Sequence, residues 1–147
     1  MNLKERIKQE EGLRTKPYLC PAGKRTIGYG HNLEAAPLLP EIATFFENNG
    51  CIMPYMAEDQ LDHDISVAEG VARRLFVGFD ELSEARRDVL TDMAFNLGEE
   101  SLSRFAKLRH NVAIKHYENA AKEMENSRWF TQVTNRAQRL IDQWLAE

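Results

Sequence analysis

"EGLRTKPYLCPAGKRTIGYGH", residues 11–31, strings an acid, a thiol and a hydroxyl along a short stretch punctuated by glycine and proline. Before it, Leu3 and Ile7 among charged residues give a short amphipathic helix, with Gly12 in the position a helix C-cap wants. The period then changes. Pro17 to Cys20, the turn Pro21-Ala22-Gly23-Lys24 and Thr26 to Gly30 read as a hairpin of short strands. Glycines at 28 and 30 weaken a strand, so their expected use is close approach of backbone or ligand. Helix followed by hairpin, at the start of a chain that is otherwise helical, defines the fold class.

Outward from this segment, Pro40 to Asn49 reads as a short helix ended by Gly50. From Ala57 to about Phe76 a longer helix carries Leu61, Ile65, Ala68, Ala72 and Leu75 as its apolar stripe. Everything after Ser83 reads as helical, closing on Ala137, Leu140, Ile141, Trp144 and Leu145, with Thr134 or Asn135 as the expected N-cap. The expected class is α+β and predominantly helical. A small N-terminal lobe (1–56) holds the helix and hairpin, a long helix (57–76) connects, and a larger all-helical lobe (77–147) follows. Ligand clefts form preferentially between such lobes, which would put the opening segment at the edge of a groove.

The chain has 147 residues, one domain's worth, and its balance of 43% hydrophobic and 29% charged residues is that of an ordinary globular protein. No apolar run reaches membrane-spanning length, and the charged start Met-Asn-Leu-Lys-Glu-Arg-Ile-Lys is unlike a signal peptide. The two cysteines form no disulfide framework, and the four scattered histidines offer no metal spacing, so neither metal nor cofactor is expected. Residues 1–30 carry seven Lys/Arg against three acids, whereas 31–70 carry eight acids and no Lys or Arg. That distribution, with an overall charge of −4, argues against a nucleic-acid binder.

Taken singly, the polar residues of the opening segment have ordinary explanations: Glu11 a surface acid, Cys20 a small hydrophobe, Thr26 a strand residue, His31 a structural histidine. Their spacing is more specific. Glu11, eight residues, Cys20, five residues, Thr26, then Ile-Gly-Tyr-Gly-His resembles the active-site signature of the phage-type lysozymes, the endolysin muramidases of glycoside hydrolase family 24. "AFNLGEESLSRF" (94–105) and "SRWFTQVTNRAQRLI" (127–141) resemble that family's helical-lobe signatures, in the expected order.

The resemblance implies a lysozyme-like fold and cleavage of the β-1,4 bond between N-acetylmuramic acid and N-acetylglucosamine in peptidoglycan glycan strands. It makes Glu11 the general acid and Thr26 a residue that helps hold the attacking water. Gly30, Phe95 and Asn96 fall where the family lines its sugar groove. His31 matches a histidine that pairs with an acid on the connecting helix, for which Asp64 is best placed, and Arg136 matches an arginine that packs near the glutamate. Many members carry Asp where this chain has Cys20. A thiol of ordinary pKa ~8.5 is only a few per cent thiolate at pH 7, so nucleophile, water-positioning group and passive substitute all stay open. The resemblance further implies a monomer without stable membrane insertion, held in the host bacterial cytoplasm until a separate holin opens the membrane. Three other classes remain: a lytic transglycosylase acting on the same bond, a non-catalytic peptidoglycan-binding or phage structural module and, remotely, a nucleic-acid-binding helical protein.

Overall fold

The computed structural model describes residues 1–147. Its first helix, α1 (Leu3–Glu11), starts at a capping box: the Glu5 amide donates to Asn2 Oδ1 at 2.9 Å, while the Glu5 carboxylate accepts from the Asn2 amide. It ends at Gly12, whose φ of 71° no branched residue takes readily. Three strands follow, β1 (Arg14–Leu19), β2 (Arg25–Gly28) and β3 (His31–Asn32), in an antiparallel sheet of order β1-β2-β3. The expected hairpin is therefore part of a slightly larger sheet. Tyr18 pairs with Thr26 and Leu19 with Arg25, while Ile27 pairs with His31; the β1 register shifts between Arg14 and Tyr18.

Helix α2 (Pro40–Asn49) has proline in its first turn, where the missing N–H costs nothing, and stops at Gly50 in the left-handed conformation. Helix α3 (Pro54–Leu75) is the longest, at 22 residues. It begins three residues before the apolar stripe reads, because Pro54 and Tyr55 add polar-facing turn that periodicity cannot register; Tyr55 is exposed. The chain divides into two units, Met1–Ser66 and Val67–Glu147, with the boundary inside α3. In the first unit, Ile27 of β2 and Ile42 of α2 pack with Leu38, Ile52, Met56 and Ala57.

A 3-10 turn at Phe79–Glu81 opens the second unit. Six helices follow: α4 (Glu84–Leu97), α5 (Glu99–Ser103), α6 (Ala106–Ala113), α7 (Tyr117–Glu125), α8 (Arg128–Gln132) and α9 (Thr134–Leu145). They enclose one apolar core that includes Val89, Leu90 and Met93 of α4 and Leu140 and Ile141 of α9. Trp129 and Trp144 are buried in it with their N–H groups satisfied, on Asn96 Oδ1 at 2.9 Å and the Tyr117 carbonyl at 2.8 Å. The start of α9 departs from expectation. Its N-cap is Val133, with no side-chain cap, because the Thr134 hydroxyl instead donates back to the Phe130 carbonyl at 2.8 Å. No helix is long and apolar enough to cross a membrane.

Candidate active site

Glu11 is the last residue of α1, and its side chain lies against Gly30 in the turn between β2 and β3. A methyl carbon on Gly30 would sit 2.5 Å from Glu11 Oε2 and 2.7 Å from its carboxyl carbon. Gly30 also has a φ of +73°. It is glycine for two reasons: backbone conformation, and the space the carboxyl group occupies.

Cys20 caps the β1–β2 connection. Its amide donates to the Lys24 carbonyl at 3.0 Å, and the Gly23 amide donates to the Cys20 carbonyl at 2.8 Å, with Gly23 at a φ of +77°. This tight turn bends the backbone N–H groups of Ala22 and Lys24 toward the sulfur. Burial works against the thiolate, but the amides of Lys24 and Ala22, the Thr26 hydroxyl and the residue's own amide outweigh it, so the thiol pKa lies below its ordinary value. Cys20 is partly exposed, which leaves the sulfur reachable. Thr26, on β2, is 3% exposed and donates from Oγ1 to the Lys24 carbonyl at 2.8 Å.

Behind Gly30 the chain is held by a polar relay. His31 Nε2 donates to the Ala36 carbonyl at 2.9 Å, and Nδ1 lies 2.7 Å from Asp64 Oδ2. Both ring nitrogens thus face acceptors, which favours imidazolium. Burial alone lowers the His31 pKa, but the Asp64 hydrogen bond and charge, with the Ala36 carbonyl, leave it raised overall. Gln60 completes the relay, donating from Nε2 to Asp64 Oδ1 at 2.9 Å and accepting from the Leu39 amide at 2.8 Å.

Other site-adjacent residues escaped the sequence reading. Tyr18, the cross-strand partner of Thr26, is half-buried with the Arg14 guanidinium 4.9 Å from its ring. The alternation of side chains along β1 places it on the face of Cys20, a signal that was available. Lys4 and Lys8 of α1 both pair with Glu58 of α3, and Lys4 also reaches Asp62 Oδ1 at 2.9 Å. Nothing in the local sequence marks that tie.

In the second unit Phe95 and Asn96 lie on α4, half-buried. Phe95 packs against the core, and Asn96 receives the Trp129 N–H. Arg136, on α9, is 7% exposed and places Nε 2.9 Å from Oδ1 of the fully buried Asp92. This unit also has a cavity of about 640 Å³, whose lining includes Phe105, Lys107, Arg128 and Trp129. It contains none of the acid, thiol and hydroxyl of residues 11–26. The chemistry is the better guide to a reaction centre. No three His, Cys, Asp or Glu side chains gather as metal ligands.

A family model described as phage lysozyme matches residues 8–146. The chain belongs to the phage lysozyme family. Among curated relatives, it is 30% identical to "Probable T4-type lysozyme 2" of Dictyostelium discoideum, over 95% of this chain and 91% of that one. It is 28% identical to "Probable T4-type lysozyme 1" of the same organism, with the same coverage. It is also 25% identical to the "Pre-baseplate central spike protein Gp5" of Enterobacteria phage T4, covering 95% of this chain but only 27% of that protein. As a phage lysozyme, the chain is a glycoside hydrolase of the lysozyme type, acting on peptidoglycan. Its α+β architecture, with a small three-stranded sheet and nine helices, is that of a lysozyme-like fold.

Proposed function

We propose that this lysozyme is a muramidase that hydrolyses the β-1,4 bond between N-acetylmuramic acid and N-acetylglucosamine, with Glu11 as its general acid. The observation that carries this is the seating of the Glu11 carboxyl group over Gly30, beside a hairpin that carries Cys20 and Thr26. Glycosidases commonly divide the work between two carboxyl groups. Here the amide-lined thiol of Cys20 takes the place of the second. Glu11 protonates the leaving glycosidic oxygen, while the Cys20 thiolate accepts a proton from the attacking water. Thr26 supports the sulfur, and Gly30, Phe95 and Asn96 contribute to sugar binding. His31 and Asp64 hold the segment behind Gly30, and Arg136 has a supporting role.

One observation keeps a second reaction in view. A lytic transglycosylase needs a single acid/base, and a cysteine stands where a second carboxylate is common. Mass spectrometry of products from purified peptidoglycan separates the two. Muramidase action leaves a muramic acid reducing end, and transglycosylase action leaves only 1,6-anhydro ends. Membership in a phage family supports the further proposal that the chain works as a monomer, held in the host bacterial cytoplasm until a separate holin opens the membrane. Expression with and without a holin tests this, with lysis expected only in its presence.

A further inference from the structure

The family resemblance offers Thr26 for holding water, yet its side chain is buried, at 3% exposure. Its single proton is donated to a protein acceptor, the Lys24 carbonyl at 2.8 Å. A hydroxyl so engaged has no proton left to give a water. Tyr18 is placed differently. It is the Cα partner of Thr26 across the β1–β2 ladder, which puts the two side chains on one face of the sheet. It stands two residues before Cys20, whose amide continues the ladder to Lys24, so Cys20 returns to that face. The Arg14 guanidinium, 4.9 Å from the ring, holds it in place.

The Tyr18 phenol keeps its proton. Burial first, then the charges of Glu11 and Cys20, push its pKa up against the opposing charge of Arg14. A protonated, half-buried hydroxyl therefore lies within electrostatic reach of the acid and the thiol, on the sheet face that carries Cys20 and Thr26.

We infer that Tyr18 is a further catalytic residue, whose hydroxyl donates to the hydrolytic water and holds it against Cys20. This rests on the muramidase proposal. In the step it serves, the Glu11 proton passes to the glycosidic oxygen as its bond to the anomeric carbon breaks. The water oxygen bonds to that carbon, and a water proton passes to the Cys20 thiolate. Solvent then returns a proton from Cys20 to Glu11, and Tyr18 keeps its own throughout.

Tyr18→Phe tests this, since it keeps the ring and the Arg14 stack and deletes only the hydroxyl. Kinetics on soluble glycan fragments should show kcat down by about tenfold, the loss of one hydrogen bond of ordinary strength, with KM changed by less than about twofold. Thermal stability should be unchanged. The share of 1,6-anhydro ends should rise, because the muramyl 6-hydroxyl competes better for the anomeric carbon when water is loosely held. Wild-type kcat and product ratio in Tyr18→Phe would overturn the inference, as would activity lost only in step with stability. A folded wild type that releases no muropeptides overturns the muramidase proposal itself, and is distinguishable because it involves no Tyr18 variant.

Discussion

Gly30 shows how much a single residue position controls in this site. Any side chain there collides with the carboxyl group of Glu11, and the backbone sits at a φ of +73°. Gly30→Ala should lower activity on the order of 10²-fold, because displacing the acid by about an ångström costs that much. It should also lower stability by roughly 1–2 kcal/mol for a left-handed alanine. Turbidity loss of a peptidoglycan suspension and thermal unfolding read the two effects separately. Cys20 makes a second residue-scale prediction. With Cys51 replaced by Ser, iodoacetamide should alkylate Cys20 with a pH midpoint below the ~8.5 of a free thiol, and activity should fall as the label enters. A midpoint at or above the free value would contradict the amide-lined turn. The placement of Glu11 at a helix end and of Cys20 and Thr26 on the hairpin after it was legible in the sequence, as was a close approach at Gly30. The atom that approaches Gly30 was not, since it arrives from the preceding helix.

At the scale of elements, two polar ties hold the first unit, and they respond to pH in opposite directions. His31 joins β3 to α3 through Asp64 with its pKa raised. Its contribution is complete below the ordinary ~6.5 and disappears as pH rises through the higher folded value. The difference in thermal stability between wild type and Asp64→Asn should thus be greatest at acid pH. It is worth about 1.5–3 kcal/mol for a hydrogen bond to a charged group and should narrow above neutrality. A constant difference from pH 5 to 9 would contradict a charged His31. Glu58 behaves oppositely. Lys4 and then Lys8 draw its pKa down to about 2, so its tie of α1 to α3 is present above the ordinary 4.5 and fails as pH falls toward the lowered value. Glu58→Gln should remove that acid-limb dependence from the unfolding curve. Elements with covalent punctuation were legible: α2 between Pro40 and Gly50 lies where its sequence places it. The breaks at 114–116 and 126–127 carry neither glycine nor proline, so the helices between Gly98 and the last one read as one helical region. At the α6–α7 corner Lys115 itself takes a φ of 63°, a turn imposed by packing and not by residue type.

At the scale of the whole molecule, the change of hydrophobic period in the sequence made an α+β, mostly helical class legible. Long-range polar pairs were not. Asp92 and Arg136 meet inside the core of the second unit with Asp92 fully buried, and only folding brings α4 and α9 together. Removing one partner takes from the other the charged hydrogen bond it makes there. Asp92→Ala should cost about 3–5 kcal/mol in urea unfolding, while replacing both with apolar residues of similar volume should cost less than Asp92→Ala alone. Equal losses would mean that the pair is not held as a unit. The central claim, that Glu11 is the acid of a muramidase, is tested most directly by mass spectrometry of the fragments released from purified peptidoglycan by wild type and by Glu11→Gln. The account predicts muramic acid reducing ends from wild type and release reduced by about 10²-fold or more in a fully folded Glu11→Gln. Equal release by the two proteins, or none from folded wild type, would contradict it.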